Sequence, residues 1–143
     1  MIRLATPDDA PIIAEFYYDI RLETGSPVHT VDEIAWYITN RLVDRGSSFV
    51  FMEMDVIVGW VDVHEDWLDQ LYCRRGHTGK GIGLQLLNFA KSMAPEGLQL
   101  WTFQVNAGAQ RFYAREGFVE VELTDGQNNE ERQPDVRMVW KPG

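Results

Sequence analysis

Residues 68–93 decide the fold of this chain, and they read LDQLYCRRGHTGKGIGLQLLNFAKSM. Residues 68–73 carry apolar side chains in the alternating pattern that is typical of a β-strand. Four glycines, at positions 76, 79, 81 and 83, then interrupt any regular pattern. From Ile82 onward, Leu86, Phe89 and Met93 recur near helical spacing. The stretch therefore predicts a strand, a glycine-rich turn and an amphipathic helix, in that order.

The glycine-rich turn is suited to bind phosphate. Glycine lets backbone N–H groups crowd together, and the helix N-terminus adds a partial positive charge. A P-loop would need four residues between its first glycine and a Gly-Lys pair, then Ser or Thr, and residues 79–81 meet neither requirement. A dinucleotide fingerprint would need a third glycine where Leu86 stands, with an acidic residue at the expected distance. We therefore expect an enzyme or binder for a phosphate-bearing cofactor that uses neither loop.

The rest of the chain predicts one domain, residues 1–143, of alternating strands and helices. A first helix should end at Gly25-Ser26-Pro27, and a second should follow Thr30 and end at Gly46. Strands are predicted over residues 1–5, 47–54, 56–64, 67–73, 98–105, 118–123 and 136–140, with a further helix from Asn106 to Gly117. The order β-α-α-β-β-β-α-β-α-β-β indicates an α/β protein with a mixed sheet.

Four local features refine this prediction. Thr30 and Glu33 have the spacing of a capping box. Pro11 removes a hydrogen bond from the first helix, so we expect that helix to begin irregularly. Gly59 inside a strand indicates a bulge or a close backbone approach. Thr124–Pro134 has no apolar residue, and we expect a mobile loop there.

Composition excludes several classes of protein. The 143 residues carry a net charge of −9, which argues against a general nucleic-acid or membrane binder. The single cysteine, Cys73, excludes an intrachain disulfide, and His29, His64 and His77 lack the spacing of metal ligands. The N-terminus does not resemble a signal peptide, and no segment reaches the roughly 20 apolar residues that span a bilayer. We therefore expect a cytoplasmic protein without a metal.

The glycine turn, Gly79-Lys80-Gly81-Ile82-Gly83, is joined further on by a second block, Asn106-x-x-Ala109-x-x-Phe112-Tyr113-x-x-x-Gly117-Phe118. Together they resemble the GNAT superfamily of acetyl-CoA-dependent N-acetyltransferases, and the resemblance extends over nearly the whole chain. It implies a mixed, mostly antiparallel sheet flanked by helices. The family's phosphate motif, Gln/Arg-x-x-Gly-x-Gly/Ala, would span residues 78–83. Thr78 departs from the usual Gln or Arg.

The resemblance implies acetyl-CoA as the cofactor. No Asp or Glu occurs between Gln70 and Pro95, whereas Arg74, Arg75, Lys80 and Lys91 do, and such a basic segment favours an anionic cofactor. The cofactor-binding residues that it implies are Leu71, Tyr72, Cys73, Thr78, Gly79, Lys80, Gly81, Ile82, Gly83, Leu84, Asn106, Phe112 and Tyr113.

The resemblance also implies catalytic roles. Acetyl transfer to an amine needs a neutral amine, a stabilised oxyanion and a proton for the departing thiolate. Tyr113 would supply that proton, and the backbone N–H of Cys73 would face the thioester carbonyl, so the Cys73 thiol is not a nucleophile. Asp69 is a candidate base. It is two residues from Leu71 and four from Cys73 in the predicted strand, so its side chain should point to the same face of the sheet as theirs.

The acceptor is open at this point. The resemblance implies a small-molecule or peptide amine and is compatible with a homodimer. Trp60 and Trp67, with the acidic residues near them (Asp62, Glu65, Asp66 and Asp69), could form a pocket for a cation, or the acids could form a solvated hairpin end. Trp36 and Tyr37 are expected to be core or rim aromatics. The alternative function is a non-catalytic acyl-CoA-binding or regulatory domain of the same fold.

Overall fold

The computed structural model describes residues 1–24, 28–77 and 81–143, and its elements follow the predicted order. The strands are β1 (Ile2–Leu4), β2 (Ser48–Glu53), β3 (Val56–His64), β4 (Trp67–Cys73), β5 (Leu98–Phe103), β6 (Val119–Leu123) and β7 (Asp135–Trp140). The helices are α1 (Ala10–Thr24), α2 (Val31–Arg45), α3 (Ile82–Met93) and α4 (Ala107–Arg115). The turn predicted at residues 25–27 lies outside the described residues.

The seven strands form one mixed sheet in the order β1-β2-β3-β4-β5-β7-β6. All neighbouring strands are antiparallel except β4 and β5, which are parallel. Because α3 lies between β4 and β5 in the chain, it is the crossover that parallel pairing requires. The prediction of a mixed, mostly antiparallel sheet is confirmed.

Helices cover the two faces of the sheet and bury two hydrophobic cores. α3 and α4 pack on one face, where Leu86, Leu87 and Tyr113 meet Val61 and Met138. On the other face, α1 and α2 pack over β2 and β3, in a core that includes Ile13, Ile38, Val50 and Trp60. Each buried side chain of this size stabilises the fold by about 1.5–3 kcal/mol relative to its exposed state.

The helix ends confirm several local predictions. Thr30 Oγ1 accepts the Glu33 N–H at 3.2 Å, and the Glu33 carboxylate accepts the Thr30 N–H at 3.0 Å, so the capping box forms. Gly46 ends α2 in the left-handed conformation, with φ at 60°. The irregular start expected from Pro11 is a 3₁₀ turn over Pro7–Asp9 that precedes α1.

Gly59 confirms both features predicted for it, a bulge and a close approach to the backbone. It lies beside a register shift between β2 and β3, where Phe51 pairs with Gly59 but Met52 pairs with Ile57. A Cβ atom at Gly59 would lie 2.8 Å from Leu86 Cδ1 and 3.3 Å from Ile82 Cγ2. The first turns of α3 therefore rest directly on the β3 backbone, which fixes the start of α3 against the sheet.

The segment between β6 and β7, expected to be a mobile loop, forms hydrogen bonds and ion pairs through its polar side chains. Asn129 donates from Nδ2 to the Gln133 carbonyl at 2.6 Å and accepts the Gln133 N–H at 3.1 Å. The loop also reaches the helices: Glu131 pairs with Arg21 of α1 at 3.6 Å, and Glu130 contacts His29 at 2.7 Å. Polar side chains thus give this loop a defined structure without an apolar residue.

Candidate active site

Strands β4 and β5 open into a wedge. They pair in register only at Trp67 and Gln99 among the residues that the structure describes, and the Gln99 N–H donates to the Asp66 carbonyl at 2.8 Å. Beyond this point the two parallel strands continue to Cys73 and Phe103, and their described residues form no further pairs with each other. Backbone groups along the facing edges are therefore available to a ligand.

The amide of Cys73 points into this wedge. The Arg74 N–H donates to the Val58 carbonyl on β3 at 2.8 Å. Because successive residues of a strand direct their N–H groups to opposite edges, the Cys73 N–H is directed away from β3 and toward β5. The Leu71 N–H shares that direction by the same alternation. The Cys73 thiol is half-buried, and burial raises its pKa, so it is a poor nucleophile.

The N-terminus of α3 stands next to the wedge, and no side chain of the described residues caps it. Gly81 occupies the N-cap position with φ at 80°, and its carbonyl accepts the first helical hydrogen bond, from the Gln85 N–H at 3.0 Å. The N–H groups of Ile82, Gly83 and Leu84 precede that bond and have no partner within the helix. A Cβ atom at Gly83 would lie 3.6 Å from Cys73 Sγ, so this helix end touches the wedge strand. Such an end attracts anions.

The predicted cofactor residues lie in several parts of the fold. Gly81, Ile82, Gly83 and Leu84 lie at the α3 N-terminus, and Leu71, Cys73 and Phe112 pack around the wedge on the α3–α4 face. Tyr72 points to the opposite face, where its ring packs edge-on against Tyr17 with centroids 5.0 Å apart. Thr78, Gly79 and Lys80 lie outside the described residues.

Asn106 caps α4, and Tyr113 lies inside the core beside it. Asn106 Oδ1 accepts the Ala109 N–H at 3.1 Å. The Tyr113 ring packs against Phe112 and Phe118, with centroids 5.2 Å and 5.4 Å away. Burial, with Tyr72 and Cys73 nearby, raises the pKa of the Tyr113 hydroxyl. The phenol therefore keeps its proton across the working pH range and is able to donate it.

The strand parity expected for Asp69 is wrong, because β4 carries a bulge. Asp62 pairs with Gln70 but Val63 pairs with Leu68, so Asp69 is the extra residue. Its carboxylate consequently turns toward α2, where Arg41 lies 2.8 Å away and Arg45 3.3 Å away. Burial raises the pKa of Asp69, and the positive charge of Arg41 opposes that shift.

The pocket expected from Trp60, Trp67 and the neighbouring acids does not form as proposed. Asp62 is fully buried and accepts hydrogen bonds from the hydroxyls of Ser47 and Ser48. The Trp60 indole N–H donates to Ser48 Oγ at 3.1 Å, and the residue is 1 % exposed. Removing one partner from a buried charged network costs about 3–5 kcal/mol. This cluster is a structural support for β3 and β4.

Two cavities open on the α1–α2 side of the sheet. The wedge cavity, about 550 Å³, is lined by residues of β4, β5 and the β6–β7 loop, among them Tyr72, Phe103 and Asn106. The helix cavity, about 730 Å³, lies between α1 and α2 above Trp60. Arg21 and Glu131 line both cavities, so the two are adjacent.

Sequence reasoning missed Arg21 and Glu131. Arg21 stands in the last turns of an ordinary amphipathic helix, and Glu131 stands in a segment without an apolar residue. Neither has a motif that would distinguish it. Only the tertiary contact between α1 and the β6–β7 loop brings them together.

Comparison with known proteins defines the class. The chain belongs to the acetyltransferase (GNAT) family, whose sequence profile matches residues 13–118. No curated protein sequence matches the chain. No helix in the described residues has the length and apolar character that crossing a membrane requires.

Several solved structures share the fold over almost the entire chain. The apo form of YjaB from Escherichia coli is 22 % identical, with a TM-score of 0.78, over 98 % of this chain and 96 % of that one. YncA from Salmonella typhimurium, with its cofactor acetyl-CoA, is 22 % identical, with a TM-score of 0.75, over 99 % and 92 %. Ribosomal-protein-alanine N-acetyltransferase from Brucella melitensis is 20 % identical, with a TM-score of 0.73, over 99 % of each chain.

Proposed function

We propose that this protein transfers the acetyl group of acetyl-CoA to a primary amine of a small molecule or peptide. The observation that carries the proposal is the N-terminus of α3, which no described side chain caps, beside the open edge of β4, which directs its Cys73 amide into the wedge. These two features provide one site for an anionic group and one for a carbonyl oxygen, at adjacent positions.

The residues present fit acetyl-CoA. The N–H groups of Gly81 to Leu84 converge at a helix N-terminus, and no acidic side chain occurs between Gln70 and Pro95 to repel a pyrophosphate. The wedge offers the Leu71 and Cys73 amides to the pantetheine arm and its thioester. When bound, acetyl-CoA would supply an activated acyl group on a thiol leaving group.

Two residues of the chain, Cys73 and Tyr113, would then act on the acyl transfer. The Cys73 N–H would donate a hydrogen bond to the acyl oxygen as negative charge develops there. The amine nitrogen would form its bond to the acyl carbon as the carbon–sulfur bond breaks. The Tyr113 hydroxyl would give its proton to the departing thiolate.

Asp69 is our proposal for the group that receives the amine proton, through water. The β4 bulge turns its carboxylate toward the α1–α2 side, where both cavities open. Its pKa is raised by burial, which brings a carboxylate closer to the range in which a general base operates. Asp69 lines neither cavity among the described residues, so a direct contact with the amine is not part of the proposal.

A thiol-release assay tests the proposed function. Purified protein would be incubated with acetyl-CoA and a panel of amines, amino acids, polyamines, aminoglycosides and peptides. Each product would be identified by its mass in mass spectrometry. We expect free CoA and acetylated amine in equal amounts for at least one acceptor. Acetyl-CoA binding without turnover on any acceptor would instead support a non-catalytic acyl-CoA-binding domain. A cytoplasmic location and a homodimer stay predictions, to be tested by fractionation and light scattering.

A further inference from the structure

We propose that the helix cavity binds a second cationic group of the acceptor, so that the preferred substrate is an alkyl amine with a positive charge at each end. This inference rests on the proposed function and names its acceptor.

The two cavities are adjacent. The wedge cavity reaches Tyr72 and Asn106, next to the β4 edge that would hold the reacting carbonyl. The helix cavity begins at the other side of Arg21 and Glu131, which contribute to the walls of both. An acceptor whose amine enters the wedge therefore extends its remainder past this ion pair into the helix cavity.

The walls of the helix cavity are aromatic. Trp36 and Tyr37, on α2, are 69 % and 52 % exposed, although both are large and apolar. Tyr17 and Trp60 form the floor as an edge-on pair with ring centroids 5.7 Å apart. Aromatic faces attract cations, and they also accept an alkyl stem.

Charge selects a cationic occupant over a neutral or anionic one. Four carboxylates line the helix cavity, those of Asp32, Glu33, Glu130 and Glu131, against one guanidinium and one imidazole. His29 engages Glu33 and Glu130, and Arg21 lies 3.6 Å from Glu131. Asp32 has no ion pair within the described part of the chain. The aromatic cavity therefore keeps an excess of negative charge, which a second ammonium group would neutralise.

The test compares two amines of equal chain length, hexylamine and hexamethylenediamine. Binding would be followed by isothermal titration calorimetry, which requires no turnover and applies equally to every variant. We expect the diamine to bind at least about tenfold more tightly, which corresponds to 1.4 kcal/mol. Where turnover occurs, its KM should be lower by a similar factor at unchanged acetyl-CoA affinity.

Variants test whether the preference for the diamine arises in the helix cavity. Asp32→Asn and Trp36→Ala should each reduce the preference for the diamine severalfold. Asp44→Asn, on an exposed part of the same helix, removes an equal charge away from the cavity and should retain the preference. Equal binding of the two amines, or a preference for a neutral arylalkyl amine, would overturn the inference. Diamine binding without acetylation of any amine would overturn the proposed function and leave this site in place.

Discussion

At the scale of single residues, Tyr113 is the side chain on which the proposed chemistry depends most. We predict that Tyr113→Phe lowers turnover by about 10²-fold or more, because it removes the proton donor for the thiolate. Acetyl-CoA affinity should change little, since the ring and its contacts with Phe112 and Phe118 remain. Steady-state kinetics and calorimetric titration of acetyl-CoA measure the two effects. Tyr18→Phe, on α1, is the matched control. Unchanged turnover in Tyr113→Phe would reject the role.

Asp69 gives a second prediction at this scale. If its carboxylate receives the amine proton, Asp69→Asn should lower kcat/KM by about 10²-fold or more and remove the acidic limb of its pH profile. The raised pKa places that limb above the range of an ordinary aspartate. Glu120→Gln, on the exposed β6 strand, removes a carboxylate elsewhere and should keep the wild-type profile. A variant that loses thermal stability but keeps the acidic limb would limit Asp69 to its pairing with Arg41 and Arg45.

At the scale of elements, the packing of α3 against β3 at Gly59 links the stability of the fold to cofactor binding. A methyl group at Gly59 would meet Leu86 Cδ1 at 2.8 Å, so Gly59→Ala should push the first turns of α3 away from the sheet. We predict a loss of about 1–3 kcal/mol in the free energy of unfolding, as for other overpacked sites. Acetyl-CoA affinity should fall as well, because the anion-binding helix end moves. Urea unfolding and calorimetric titration measure these two quantities.

Gly108→Ala is the matched control for that helix displacement. A Cβ atom there would approach no heavy atom closer than 3.9 Å, and Gly108 lies inside α4. Alanine should therefore raise the free energy of unfolding by about 0.5–1 kcal/mol. A destabilised Gly108→Ala, or an unaffected Gly59→Ala, would contradict the proposed role of the α3 contact.

The β6–β7 loop is held over the helix cavity partly by His29. Its pKa is raised by Glu130 and, to a lesser degree, by Glu33. Because the folded-state pKa exceeds the unfolded one, the stabilisation is complete below the unfolded pKa and is lost as pH rises through the folded pKa. We predict that an NMR titration gives a raised His29 pKa that Glu130→Gln lowers more than Glu33→Gln does. The Glu33→Gln variant keeps the capping box, since Gln also serves at that position. Equal pKa values in both variants would mean that Glu130 does not hold the loop.

At the scale of the whole molecule, local signals predicted the order of elements, and long-range contacts decided the rest. Thr30 and Gly46 act through neighbours within four residues, so the bounds of α2 could be predicted. The face of Asp69 could not, because its bulge arises from how β4 pairs with β3. The order in the β6–β7 loop likewise depends on α1 and α2, which lie about a hundred residues earlier in the chain.

The site also has a part that local motifs predicted and a part that depends on long-range contacts. The glycine turn and the block from Asn106 to Phe118 predicted the α3 end and the α4 residues beside the wedge. The acceptor side was not predicted, because its walls come from α1, α2 and the β6–β7 loop, whose residues carry no shared motif. Trp60 illustrates this: strand alternation assigns it a face, but only the packing of α2 makes that face the floor of a cavity.

The central claim is that the β4–β5 wedge and the α3 N-terminus together hold acetyl-CoA. A chain of 143 residues is small enough for residue-specific NMR, so backbone amide shifts can be followed as acetyl-CoA is added. The account predicts that the largest changes occur at Gly81 to Leu84 and at Leu71 and Cys73, with Gly108 and β6 unaffected. Shifts confined to other surfaces, or no shifts at millimolar acetyl-CoA, would contradict it.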